Sequence, residues 1–222
     1  MLTHEVKEAE CTHLFKAAYE NRYTWEANFP GYEGSCSWTD GEREVKGTFS
    51  LGQDLKATVN AIGDELIHKA ISSQLWEVAI HRIRRSFEQT HGNNTFSFGD
   101  TNEIGSEIIV GGKNEGDKYR VKNNVVTMVY RHIHGNLIVI LTKDVTHTGN
   151  GYLSKSYSSQ YLDPISKKEL KEKSFYTDNF IPLSKGGPWV LASRSIHQES
   201  SEGSILNKQV FTFSELKSIG SK

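Results

Sequence analysis

The sequence predicts an α+β fold: a long antiparallel meander forming a curved sheet or half-barrel, with two N-terminal-half helices packed against it. Helical periodicity is confined to the part before Arg85. After about residue 94, apolar β-branched runs alternate with the breaks GDTNEIG, GGKNEGD, HGN and HTGNG. No low-complexity linker or internal repeat interrupts the chain, so residues 1–222 read as a single domain.

The first helix spans residues 4 to 23, because Leu14, Phe15 and Ala18 recur at helical spacing with no Pro or Gly between, and Thr3 is its candidate cap. A small meander follows between Tyr32 and Val59: GSCSWT, a two-residue turn at Asp40-Gly41, EVKGTFSL and LKATVNA. Asp64 is placed as N-cap of a second helix running to Arg85, with Ile67, Ile71, Leu75, Val78 and Ile83 as its apolar stripe. The strongest hairpin is NVVTMVYRHIHGNLIVILT, turning at Gly135-Asn136 near the sheet centre. Further strands are expected at YLSKSYSSQYL, SFYTDNFI, WVLASRSIHQ and ILNKQVFTF, and the charge run from Lys167 to Lys173 as a helical turn or solvated loop.

Charge excludes several functions. Lys plus Arg number 26 against 27 Asp plus Glu, a net charge of -1, which lacks the basic excess of a general nucleic-acid binder. No apolar run is long enough to insert in a membrane, and the charged start MLTHEVKEAE predicts a cytoplasmic location. Cys11 and Cys36 lack zinc or disulfide spacing and read as buried thiols. Without a phosphate loop, GxSxG, HExxH or paired carboxylates, no catalytic residue is assigned and no cofactor or metal is expected.

Two clusters supply ligand-binding candidates. In HRIRRSFEQTHGNNTFSFGD, Arg82 and Arg85 continue the stripe of Leu75 and Val78, where either could pair with Glu88 or with a ligand carboxylate, and His91 lies just beyond. Cations at a helix C-terminus are equally accounted for by its dipole. On the hairpin, Tyr130, His132 and His134 share one face, with Leu137 expected opposite His134 and Val139 opposite His132. Such histidines serve as hydrogen-bond donors or proton carriers, while an HxH pair without a third ligand makes a poor metal site. The aromatics Tyr19, Tyr23, Trp25, Phe29 and Tyr32 are expected to seal one end of the core.

The stretches AAYENRYTWEANFPGY, HRIRRSFEQTHGNNTFSFGD, YRVKNN and GYLSKSY resemble an uncharacterised family of cyanobacteria and plant plastids, domain of unknown function 3386, over nearly the whole chain. The resemblance implies a photosynthetic source and brings no established site residues. The order of elements also looks like the half-barrel of lipoprotein carriers, which hold acyl chains. These readings lead to one expectation: a hydrophobic or amphipathic small molecule, such as a pigment, isoprenoid or lipid, bound in the cavity of a curved sheet. The alternatives are a cofactor-free cyclase, isomerase or lyase using Tyr130, His132 and His134, and an assembly factor for a photosynthetic complex.

Overall fold

The computed structural model describes residues 4–200 and 202–220, so the expected cap at Thr3 lies outside the described residues. In chain order the elements are α1 (His4–Glu20), β1 (Gly31–Thr39), β2 (Glu44–Gly52), β3 (Ala57–Asn60), α2 (Glu65–Ile80), α3 (Phe87–His91), β4 (Asn94–Asn102), β5 (Gly105–Gly112), β6 (Lys118–Lys122), β7 (Val125–Ile133), β8 (Asn136–His147), β9 (Tyr152–Leu162), β10 (Lys173–Pro182), β11 (Trp189–Glu199) and β12 (Ile205–Ser218). The α+β expectation holds: twelve strands make an antiparallel meander that is not closed, and the helices precede most of it. The chain divides into two compact units, Met1–Tyr23 with Arg85–Phe175, and Thr24–Arg84 with Tyr176–Lys222.

In the first unit the strands follow the order β10-β9-β8-β7-β6-β5-β4. Cys11, Phe15 and Ala18 recur at helical spacing along α1 and are fully buried. They meet Phe87, Phe96, Ile108, Val110, Tyr119, Val121 and Val126 in one core. Short α3 has a capping box, in which Gln89 N donates to Ser86 Oγ (3.1 Å) and Ser86 N donates to Gln89 Oε1 (2.9 Å). The charge run after β9 is a loop. It is held by Leu170 N donating to Tyr161 O (2.9 Å) and by Gln160 Nε2 donating to Lys171 O (2.6 Å).

The β7–β8 turn corrects the expected register. His134 and Gly135 form the two-residue turn with positive φ (49° and 77°), as a type I′ hairpin requires, and Ile133 pairs with Asn136. His132 therefore faces Leu137, Tyr130 faces Val139, and His134 no longer shares a strand face with His132. His134 tolerates the left-handed backbone where a β-branched residue would not. His134→Val is expected to cost about 1–2 kcal/mol in chemical denaturation; an unchanged midpoint would mean the turn has another conformation in solution.

The second unit is ordered β3-β2-β1-β12-β11-β10. Asp64 caps α2 as expected, its Oδ1 accepting from Leu66 N (3.0 Å) and Ile67 N (3.1 Å). Ile67, Ile71, Leu75, Val78 and Ala79 are buried. The helix stops at Ile80 rather than Arg85, and Ile83 is exposed outside it. Two contacts end it: Arg82 N turns back to Ala79 O (2.8 Å), and Arg82 O accepts from Trp25 N (2.8 Å). The β1–β2 link is a four-residue loop in place of the expected Asp40-Gly41 turn, because Thr39 pairs with Glu44 and Asp40 Oδ1 accepts from Glu42 N and Arg43 N (3.0 and 2.8 Å).

Candidate functional site

The last rung of the β1–β2 ladder is Gly31 opposite Gly52. At Gly31 φ is +101°, and a Cβ there would stand 1.9 Å from Leu51 O, so only glycine allows this approach. Beside this strand end, still within the second unit, lies a cavity of about 460 Å³. Its apolar wall is Trp25, Phe29, Leu55 and Ile83, and its polar lining is Arg82, Arg84, Glu26 and Gln53. The cavity sits among loops at a strand end, whereas the sequence points to a sheet face.

The walls are fixed by bonds that leave the rings available. Trp25 Nε1 donates to Trp189 O (2.9 Å), and the indole stands edge-on to Phe29 at 4.9 Å and Tyr32 at 6.1 Å. Burial pushes the Tyr32 hydroxyl well above its ordinary value, so Tyr32 keeps its proton at neutral pH and supports the wall as a neutral ring. Gln53 Nε2 donates to Ala27 O (2.8 Å), tying the loop after β2 to the segment before β1. Arg84 Nε donates to Thr24 Oγ1 (3.2 Å), and the Arg82 guanidinium lies 5.8 Å from the Phe180 ring. Apolar walls with cationic groups suit a molecule that is apolar at one part and polar at another.

Of the expected candidates, only Arg82 lines this cavity. Arg82 and Arg85 are not helical, so neither continues the α2 stripe. Arg85 is exposed and belongs to the other unit. Glu88, the suggested partner of both, pairs instead with Lys16 of α1. His91 is a core residue of the first unit, 5% exposed, with Nδ1 accepting from Asn94 Nδ2 at 3.2 Å.

Tyr130 and His132 do share a strand face, their rings edge-on at 6.0 Å. The sequence gives no signal for the group that orients His132. Asp117, 2% exposed, accepts from His132 N (2.9 Å) and lies 3.0 Å from its Nδ1. The carboxylate holds the proton on Nδ1 and leaves Nε2 as an acceptor. Both cysteines are free and buried, and burial pushes the Cys11 thiol up to about 12, which removes it as a nucleophile. Among the described residues no group of three or more His, Cys, Asp or Glu could hold a metal, and no helix is long and apolar enough to cross a membrane.

Sequence reasoning also passed over Arg84 and the buried pair Arg194–Asp178, which joins β10 and β11 under α2. Arg84 gives no signal, since an arginine between helices is ordinary. Asp178 does, because it alternates with Phe180 on a strand otherwise rich in apolar residues.

The chain is similar to several solved structures. A DUF1329 family protein from Desulfovibrio piger is 11% identical, covering 97% of this chain and 95% of that one at a TM-score of 0.31. A LolA superfamily protein from Nitrosomonas europaea is 9% identical over 96% and 94%, with a TM-score of 0.34. A putative outer membrane lipoprotein-sorting protein domain from Vibrio parahaemolyticus is 8% identical over 97% and 94%, also with a TM-score of 0.34. Comparison with curated proteins gives no match. A family model described as "Protein of unknown function (DUF3386)" matches residues 6–219, and the chain belongs to that family.

Proposed function

We propose that this protein binds a hydrophobic or amphipathic small molecule, of the pigment, isoprenoid or lipid kind, in the cavity beside Gly31 and Gly52. The observation that carries the reading is the joining of an aromatic wall, Trp25 and Phe29, to two guanidinium groups around about 460 Å³. That volume is within the range of roughly 300–1,000 Å³ usual for small-molecule sites. Native mass spectrometry of protein purified from a photosynthetic host is expected to show a bound mass, and Trp25→Ala to weaken its retention at least tenfold while the fold persists. A protein that carries no ligand and binds none from a lipid extract of that host would refute the proposal.

The Asp117–His132 pair favours a second reading, a cofactor-free cyclase, isomerase or lyase in which His132 Nε2 takes a proton. His132→Ala is then expected to change the metabolite profile of the host; an unchanged profile rules His132 out as the base.

A further inference from the structure

From the charged lining of the cavity we infer that the ligand carries an oxyanion head, a carboxylate or phosphate, on an apolar body, and that Arg84 receives it. The inference rests on the binding reading above and names the chemistry of the ligand. The cavity lining contains Arg82 and Arg84 against the single carboxylate of Glu26, an excess of positive charge beside an apolar wall. Arg84 is held at one point only. Its Nε donates to Thr24 Oγ1 (3.2 Å), and among the described residues neither Nη1 nor Nη2 has a hydrogen-bond partner. A guanidinium anchored through Nε keeps its two terminal nitrogens as a planar fork, the geometry that matches two oxygens of a carboxylate or phosphate.

Selectivity follows from the cost of water removal as much as from attraction. A neutral apolar molecule entering beside Arg84 strips water from a charged group and returns no acceptor, whereas an anionic one replaces that water with charge-assisted bonds. Glu26, exposed and also on the lining, opposes an anion, so the net preference depends on the two arginines together.

The test uses the full chain with decanoate, decyl phosphate and decanol below their aggregation limits, read by tryptophan emission with Trp25→Phe as the control for the reporter. Both anions are expected to bind at least tenfold more tightly than decanol, and Arg84→Gln to abolish that preference, by weakening the anions and by relieving decanol of the cost of stripping water from the guanidinium. Phosphate binding without carboxylate binding, or the reverse, identifies the head while keeping the inference. Equal binding of decanol and the anions overturns the oxyanion head but leaves the cavity as a binding site. A preference that survives in Arg84→Gln overturns the role of Arg84. Failure of all three probes to bind overturns both this inference and the binding reading on which it rests.

Discussion

Asp178→Ala is expected to destabilise the protein by about 3–5 kcal/mol, the cost of leaving one member of a buried ion pair without its partner. Asp178 and Arg194 each have 2% of the side chain exposed. The pair is bidentate, with Arg194 Nε donating to Asp178 Oδ1 and Nη2 to Oδ2, both at 2.7 Å. The remaining nitrogen, Nη1, reaches Gln74 Oε1 (2.9 Å) and Glu77 Oε1 (3.3 Å) on α2. This network fastens α2 to two strands. Glu77 is 41% exposed and its attraction is screened by water, so it cannot replace a carboxylate at 2%. For a chain of this size, each kcal/mol lowers the thermal midpoint by roughly 2–4 °C. The double replacement Arg194→Met with Asp178→Leu removes both charges, and desolvation then no longer opposes folding. It is expected to be more stable than Asp178→Ala alone. If the single and double variants lose the same stability, the pair contributes through packing and not through charge.

The extent to which the sequence disclosed this molecule depended on whether the deciding contact was local. Strands β9 to β11 were legible to within one residue at each end, because each carries aromatic or β-branched residues and is closed by turn-forming ones, whereas β12 runs to Ser218, five residues past the expected end at Phe213. The N-terminus of α2 was legible because Asp64 caps it through its own next residues. Its C-terminus was not, because the bond that ends it comes from Trp25, far back in the chain. The capping box of Ser86 and Gln89 is a local signal, and it marks a new helix that begins just past Arg85, where the apolar stripe alone predicts the end of α2. The cavity followed the same rule. Arg82 and Trp25 stand out by residue type alone; what places them on one cavity with Gly52 and Leu55 is the bond from Trp25 N to Arg82 O together with the Gly31–Gly52 rung of the β1–β2 ladder. The Asp117–His132 contact likewise depends on the pairing of β6 with β7, and neither residue's neighbours announce it.

His91 is expected to make the protein lose about 3 kcal/mol of stability between pH 6.5 and pH 4. Burial is the main cause, and it holds the imidazole at about 4, below its ordinary 6.5; the charges of Arg131 and Arg22 act in the same direction, and Asp117 opposes them. The ring is packed against Phe15 at 5.0 Å, Tyr19 at 5.2 Å and Phe87 at 5.1 Å. Asn94 Nδ2 donates to Nδ1, so a proton added there would set two donors against each other. With the folded value depressed, the unfolded chain binds more protons between the two values, and stability falls as pH falls through that window. Above about pH 6.5 the contribution is complete. The carboxylates Asp40, Glu88, Asp100, Asp144 and Asp163 are held below their ordinary range by hydrogen bonds, so their loss begins only in or below that range. The interval from pH 6.5 to 5 therefore isolates His91 from them. Urea titrations at half-unit steps should show the decline in the native sequence and a flat profile in His91→Phe, which keeps an aromatic ring in the cluster. An equal decline in His91→Phe would assign the acid sensitivity to another group and remove His91 as its source.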